Sequence, residues 1–223
     1  MSTFIDLSHT IEHGMITYKG LPAPIIGEHL SREKSKSFYE RGTEFQIGKI
    51  EMVANTGTYI DSPFHRYAAG SDLAALDLRS LANLEGVVVH CAPGVRVITA
   101  TAVEKVNVTG KAVLFHTGWD AHWRTEAYSS SRHPFLTGAA AEYLAYAKAA
   151  LVGIDSYNID NTDDGQRPAH SILLAQAIPI VEHLCGLGAL PESGFRFFAV
   201  PPKMRQVGSF PVRAFAVVSD KRE

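Results

Sequence analysis

Cysteine is scarce: Cys91 and Cys185 are all that the 223 residues contain, far apart and outside any paired spacing. That excludes a disulfide framework and a Cys-x-x-Cys metal or redox motif, and it suits a reducing cytoplasm. Each thiol is expected as a small buried hydrophobe rather than a nucleophile. Positive charge is not in excess either, with 21 Lys and Arg against 23 Asp and Glu and a formal charge of −2. A nucleic-acid partner needs a concentrated basic footprint, so none is expected. No apolar run reaches the ~18 residues that would cross a bilayer, and Met1 to Ser8 has neither the basic start nor the apolar stretch of a signal peptide. No membrane partner is expected, and a cytoplasmic location is. Also missing are a Gly-x-Gly-x-x-Gly fingerprint, a phosphate-cradling Gly-Lys-Ser loop and a Gly-x-Ser-x-Gly elbow. No nucleotide cofactor is expected, and serine-hydrolase chemistry loses support.

The residues that are present describe an ordinary globular chain, 46% hydrophobic and 20% charged, with no linker-like stretch dividing it. One domain over residues 1–223 is expected. Phe4 to Leu7 reads as a short strand before a turn-rich loop, and Phe45 to Val53 as a strand running into Asn55-Thr56-Gly57-Thr58. Gly86 to Cys91, Ala112 to His116 and Leu151 to Ile154 are short apolar runs bounded by turn signals, as buried strands are. Thr137 to Ala150 has helical spacing with Thr137 as N-cap. His170 to Ala177 reads as a short helix, Ile178 to Glu182 as a strand, and Phe195 to Val200 and Pro211 to Val218 as two more. Strands outnumber helices and alternate with them only in part, which indicates an α/β or α+β fold with mixed sheets and flanking helices.

The most informative segment is Asn55-Thr-Gly-Thr-Tyr-Ile-Asp-Ser-Pro-Phe-His65. It places a carboxylate and an imidazole four residues apart at a strand end. Such a pair can hold a metal or move a proton, since an imidazole as a type titrates near neutral pH. By residue type alone, Asp61 as a turn cap and His65 as a surface residue is the commoner outcome. His116, His122 and His133, near Trp119, Trp123 and Tyr128, read as ordinary loop residues more readily than as a pocket for an aromatic compound. Asp163-Asp164-Gly165 reads as a turn. Asp155 and Asp160, after a buried strand, are placed to act as acceptors that orient a ligand or His170.

The segment resembles the His-x-Gly-Thr-His-x-Asp-x-Pro-x-His signature of the cyclase family, which includes bacterial kynurenine formamidase and isatin hydrolase. Gly57, Thr58, Asp61, Pro63 and His65 occupy five of its seven fixed positions. Asp6-Leu7-Ser8, His116-Thr-Gly-Trp119, Gly153-Ile-Asp-Ser156, His170 followed by Glu182, and Pro211-Val-Arg-Ala214 look like further landmarks of the family in order. The resemblance implies a swivelling β/β/α fold and a homodimer or higher homo-oligomer. It also implies a metal-dependent hydrolase of a small, aromatic amide, formamide or lactam. Asp61, His170 and Glu182 would then ligate a divalent metal, Zn²⁺ or Mn²⁺, and His65 would carry protons. Tyr59 is a second catalytic candidate, and Asn55, Asp155 and Trp119 are candidates for lining the pocket.

Two signature histidines are replaced, by Asn55 and Tyr59. An amide oxygen is a weak ligand for a transition metal, and a phenol, with a free pKa near ~10, binds well only as the anion. Three outcomes stay open: a metal on Asp61, His170 and Glu182; Tyr59 as an anionic ligand; or no metal. Without a metal, His65 and Tyr59 or Asp61 would exchange protons in a lyase, dehydratase or cyclase, or the cleft would bind a small ligand without turnover.

Overall fold

The structure, a computed structural model, describes residues 1–219. Its strands in chain order are β1 (Ser2–Asp6), β2 (Ile25–Leu30), β3 (Ile47–Glu51), β4 (Tyr59–Asp61), β5 (Leu84–His90), β6 (Val97–Ile98), β7 (Ala112–His116), β8 (Phe135–Leu136), β9 (Leu151–Ile154), β10 (Ile180–Glu182), β11 (Ser193–Phe198), β12 (Ser209–Pro211) and β13 (Phe215–Ser219). The α-helices are α1 (Arg32–Ser35), α2 (Gly138–Tyr146) and α3 (Pro168–Ala175). Among the described residues, nine strands join in one sheet in the order β1-β13-β11-β5-β7-β9-β10-β4-β12. The centre, β5-β7-β9-β10, is parallel and both wings are antiparallel.

The parallel centre follows from its sequence. β5, β7 and β9 are nearly unbroken apolar runs, which only a sheet covered on both faces can bury. Alternate residues divide between two cores. Val87, Val89, Val113, Phe115, Val152 and Ile154 pack on the side of α2 and α3. Val88, Leu114, Leu151, Leu184, Phe195 and Phe197 fill the other side. Gly86 is required there, because a Cβ in its place would lie 2.0 Å from the Phe195 ring. Thr137 caps α2 as expected, accepting from the Ala140 N–H at 3.2 Å. The helix stops at Tyr146 rather than Ala150, since Lys148 turns left-handed at φ 58° to feed β9.

Two strand expectations need correction, and one strand was missed. Phe45 to Val53 is a shorter strand than expected: β3 ends at Glu51, before Asn55, and pairs with β2 in a separate hairpin in which every β3 residue is exposed. The strand that carries the signature is β4, which was not foreseen. Pro211 to Val218 is not one strand: Pro211 ends β12 at one edge of the sheet, and Phe215 begins β13 near the other. The linker 212–214 can span only about 14 Å fully extended, so the sheet must curl until its ends nearly meet. Hydrogen bonds from Leu7 N to Ala214 O and from Val212 N to Thr58 O, both 2.9 Å, close the seam.

Candidate active site

β10, β4 and β12 lie side by side, and their register sets Asp61 opposite Ser209 and Tyr59 opposite Glu182. Side chains in register on neighbouring strands share a face, so residues separated by more than a hundred positions converge. Gly57 leads into β4 at φ 66°, where an added Cβ would lie 2.9 Å from Ile11 Cγ1. Thr58 Oγ1 donates to the His183 carbonyl at 2.5 Å, which ties β4 to the end of β10. Gly57 and Thr58 therefore shape the site rather than react. After β4, Pro63 opens a 3-10 turn that ends on His65.

The cleft above these strands has a volume of about 320 Å³ and is lined by Asn55, Tyr59, His65, His170 and Glu182 among others. Asp61 and Glu182 are buried at its floor, where His170 Nε2 lies 3.6 Å from Asp61 Oδ2 and 3.7 Å from Glu182 Oε1. His65 Nδ1 lies 3.7 Å from Asp61 Oδ1. Ligand atoms on one tetrahedral ion at 2.0–2.2 Å sit about 3.3–3.6 Å from each other, so the spacing suits a shared cation. Among the described residues, Asp61, His65 and His170 form a group that could hold a metal ion, with one ligand atom from each lying within 4.8 Å of the others.

Asp160 sets the direction of His170. Its carboxylate accepts from the Ala169 and His170 N–H groups at 2.6 and 3.0 Å, capping α3, and lies 2.6 Å from His170 Nδ1. Nε2 is thereby turned toward Asp61, the arrangement in which an outer carboxylate orients a metal-binding imidazole. Burial pulls the His170 pKa down, but Glu182, Asp160 and Asp61 outweigh it and push it up to about 10. Three carboxylates thus surround His170, and a proton on its ring or a bound cation can offset their charge. Asp61 Oδ2 is buried and has no hydrogen-bond partner, a costly state unless a cation or substrate proton meets it.

Ser209 Oγ links Asp61 Oδ1 to His65 Nδ1, the latter at 2.8 Å. A carboxylate only accepts, so the hydroxyl donates to Asp61 and accepts from His65 Nδ1–H. His65 Nε2 is left as the basic nitrogen. The His65 side chain is 37% exposed, at the cleft wall rather than beneath it.

Tyr59 donates to Glu182 Oε2 at 2.5 Å, and the Ile159 N–H donates to Oε1 at 2.7 Å. Burial, with Glu182 beside it, pushes the Tyr59 phenol well above its usual pKa. The residue at a signature-histidine position accordingly donates to Glu182 and secures it. Burial likewise pushes the Glu182 carboxyl up, with His170 opposing.

Asp61, His65, His170, Glu182, Tyr59 and Asn55 are brought together. Two other candidates do not line this cleft. Trp119 lies in a different cavity with His116 and His122, its Nε1 donating to Tyr128 O at 3.0 Å. Asp155 is buried beneath that second cavity's loop, accepting from Thr117 N and Gly118 N at 2.8 and 2.9 Å, and burial raises its pKa to about 6. Sequence reasoning missed Ser209, Tyr18, Asn158, Arg66 and Arg167. Arg66 alone had a signal, its place directly after His65 of the signature; the others are brought in by register and looping that no local pattern shows.

The cyclase family profile matches residues 5–161. Kynurenine formamidase of Bacillus cytotoxicus is 26% identical over 219 residues, 96% of each chain. Isatin hydrolase A of Labrenzia aggregata, solved with benzyl benzoate, superposes with a TM-score of 0.82 at 19% identity, covering 98% of this chain and 94% of that one. A protein described as a potential metal-dependent hydrolase with cyclase activity superposes at 0.78 with 23% identity, over 99% of this chain and 100% of the other.

Proposed function

The chain belongs to the cyclase family, and from that premise we propose that it is a hydrolase of small aromatic amides, formamides or lactams that uses a divalent cation, Zn²⁺ or Mn²⁺. The observation that carries this reading is the unpartnered, buried Asp61 Oδ2 facing His170 Nε2 at 3.6 Å, beneath a histidine whose free nitrogen is basic. The names of the relatives, kynurenine formamidase and isatin hydrolase, support the C–N bond as the one cleaved.

Asp61, His170 and Glu182 would hold the cation, which leaves His65 free to carry protons. Bound there, it would polarise the acyl carbonyl and acidify water. The chain's own residues supply the rest. His65 Nε2 takes the proton from the attacking water and passes it to the leaving nitrogen. Ser209 keeps His65 in the required tautomer, and Asp160 keeps His170 aimed at the floor. The aromatic wall at Tyr18 and Tyr59 receives a flat apolar ring. A metal-independent reading through Tyr59 meets a specific obstacle, because its hydroxyl is already committed to Glu182.

The test is turnover of N-formylkynurenine and isatin by purified protein with Zn²⁺ or Mn²⁺ added, beside His65→Ala. The variant should lose about 10²- to 10⁴-fold in kcat. Equal turnover by the two proteins removes His65 from the mechanism, and inertness toward both substrates removes the substrate class.

A further inference from the structure

Two guanidiniums stand at the mouth of the cleft. Arg66 directly follows His65, and Arg167 precedes α3, three positions before His170; both line the cavity. Each is tethered by neutral groups. Arg66 Nε donates to Ser171 Oγ at 3.2 Å, and its guanidinium lies 5.4 Å over the Tyr67 ring. Arg167 Nη1 donates to Asn161 O at 3.2 Å and reaches Asn158 Oδ1 at 3.5 Å. Among the described residues neither forms an ion pair, whereas Arg79, Arg96, Arg124 and Arg213 each do.

A surface arginine with no carboxylate is unremarkable singly. Here two line one cavity, and their tethers leave both Nη groups of Arg66, and Nε and Nη2 of Arg167, without an acceptor. Arg167 also holds φ 51°, ψ 60°, a left-handed conformation that is costly for a residue with a Cβ and that recurs at binding sites. The floor beneath them is acidic, through Asp61, Asp160 and Glu182. The free guanidinium nitrogens at the rim can pair with a carboxylate while a neutral acyl group on the same molecule reaches His65 and Asp61. Guanidinium recognises carboxylate by paired, charge-assisted hydrogen bonds.

We propose that Arg66 and Arg167 form a carboxylate-binding rim, and that the physiological substrate is an anionic N-acyl compound, an aromatic or amino acid bearing its carboxylate next to the acylated nitrogen. This rests on the cleft being the catalytic one. The rim orients the substrate with the carboxylate outward and the acyl carbon toward His65 and Asp61.

The probe pair is anthranilate and its neutral counterpart anthranilamide, titrated calorimetrically into chelator-treated protein. Wild type should bind anthranilate at least about tenfold tighter, and Arg66→Gln and Arg167→Gln should each lower that ratio about tenfold or abolish it, as loss of one charged pair implies. Arg167→Lys should retain part of it. Arg66→Gln keeps the test decisive if substitution at the left-handed position disturbs folding, which melting temperature reports. Equal affinities, no anthranilate binding, or a ratio untouched in Arg66→Gln overturns the proposal. Hydrolysis of neutral formanilide separates the two claims: turnover with an arginine-independent ratio leaves the hydrolase and removes the rim, and an arginine-dependent ratio without turnover does the reverse.

Discussion

At the scale of single residues, the site is a set of buried polar groups each of which answers to another. Tyr59 shows this most clearly. Its hydroxyl is the close partner of Glu182 Oε2, which otherwise has only a 3.4 Å contact from Asn158 Nδ2. Tyr59→Phe removes the donor and leaves a buried carboxylate under-satisfied, so unfolding in urea should show a loss of about 1–3 kcal/mol. A change within a few tenths of a kcal/mol would mean that the bond does not secure Glu182. Asp61 and His65 were legible in the sequence because they fall within one short segment whose pattern resembles a known signature. His170 and Glu182 were legible only through the resemblance, since a His and a Glu twelve positions apart carry no pattern of their own. Ser209 was illegible: it reaches Asp61 by strand register across 148 positions. Trp119 and Asp155 were drawn to the site by nearness to family-like landmarks, but both serve the loop after β7.

At the scale of elements, the approach of β12 to the turn after β4 decides where His65 sits relative to Asp61. Gly208, just before β12, accepts from the Ser62 N–H at 2.7 Å, and a Cβ in its place would sit 2.6 Å from the backbone N and Cα of His65. Backbone cannot swing aside as a side-chain tip can. Gly208→Ala must therefore shift the His65 turn or β12, and a displacement near 1 Å should lower kcat about 100-fold. Gly165→Ala, whose Cβ would meet nothing within 4 Å, is the control expected to leave kcat unchanged. Wild-type turnover by Gly208→Ala would show that the approach is not a constraint. The strands that sequence reasoning located well, β5, β7 and β9, are buried on both faces, where composition alone marks the element. β4 escaped because three residues show no period, and β3 was located although nothing in its sequence tells which sheet it joins.

At the scale of the whole molecule, the curl of the sheet is what assembles the site. It brings the chain's last fifth back onto β4 and supplies Ser209, while the crossover through α3 supplies His170. The accessible surface, 12215 Å², exceeds the roughly 10,000 Å² expected for a compact chain of this mass, and the exposed β2–β3 hairpin contributes to that excess. The outcome of this assembly is a small acidic floor, and the proposed function places a cation on it. Calorimetric titration of Zn²⁺ or Mn²⁺ into chelator-treated wild type and Asp61→Asn tests that claim most directly. One ion per chain should bind the wild type, and the variant should bind it more than about 100-fold more weakly, beyond the 10- to 100-fold typical of an outer-shell change. No saturable binding, or equal affinity in the variant, would contradict the account.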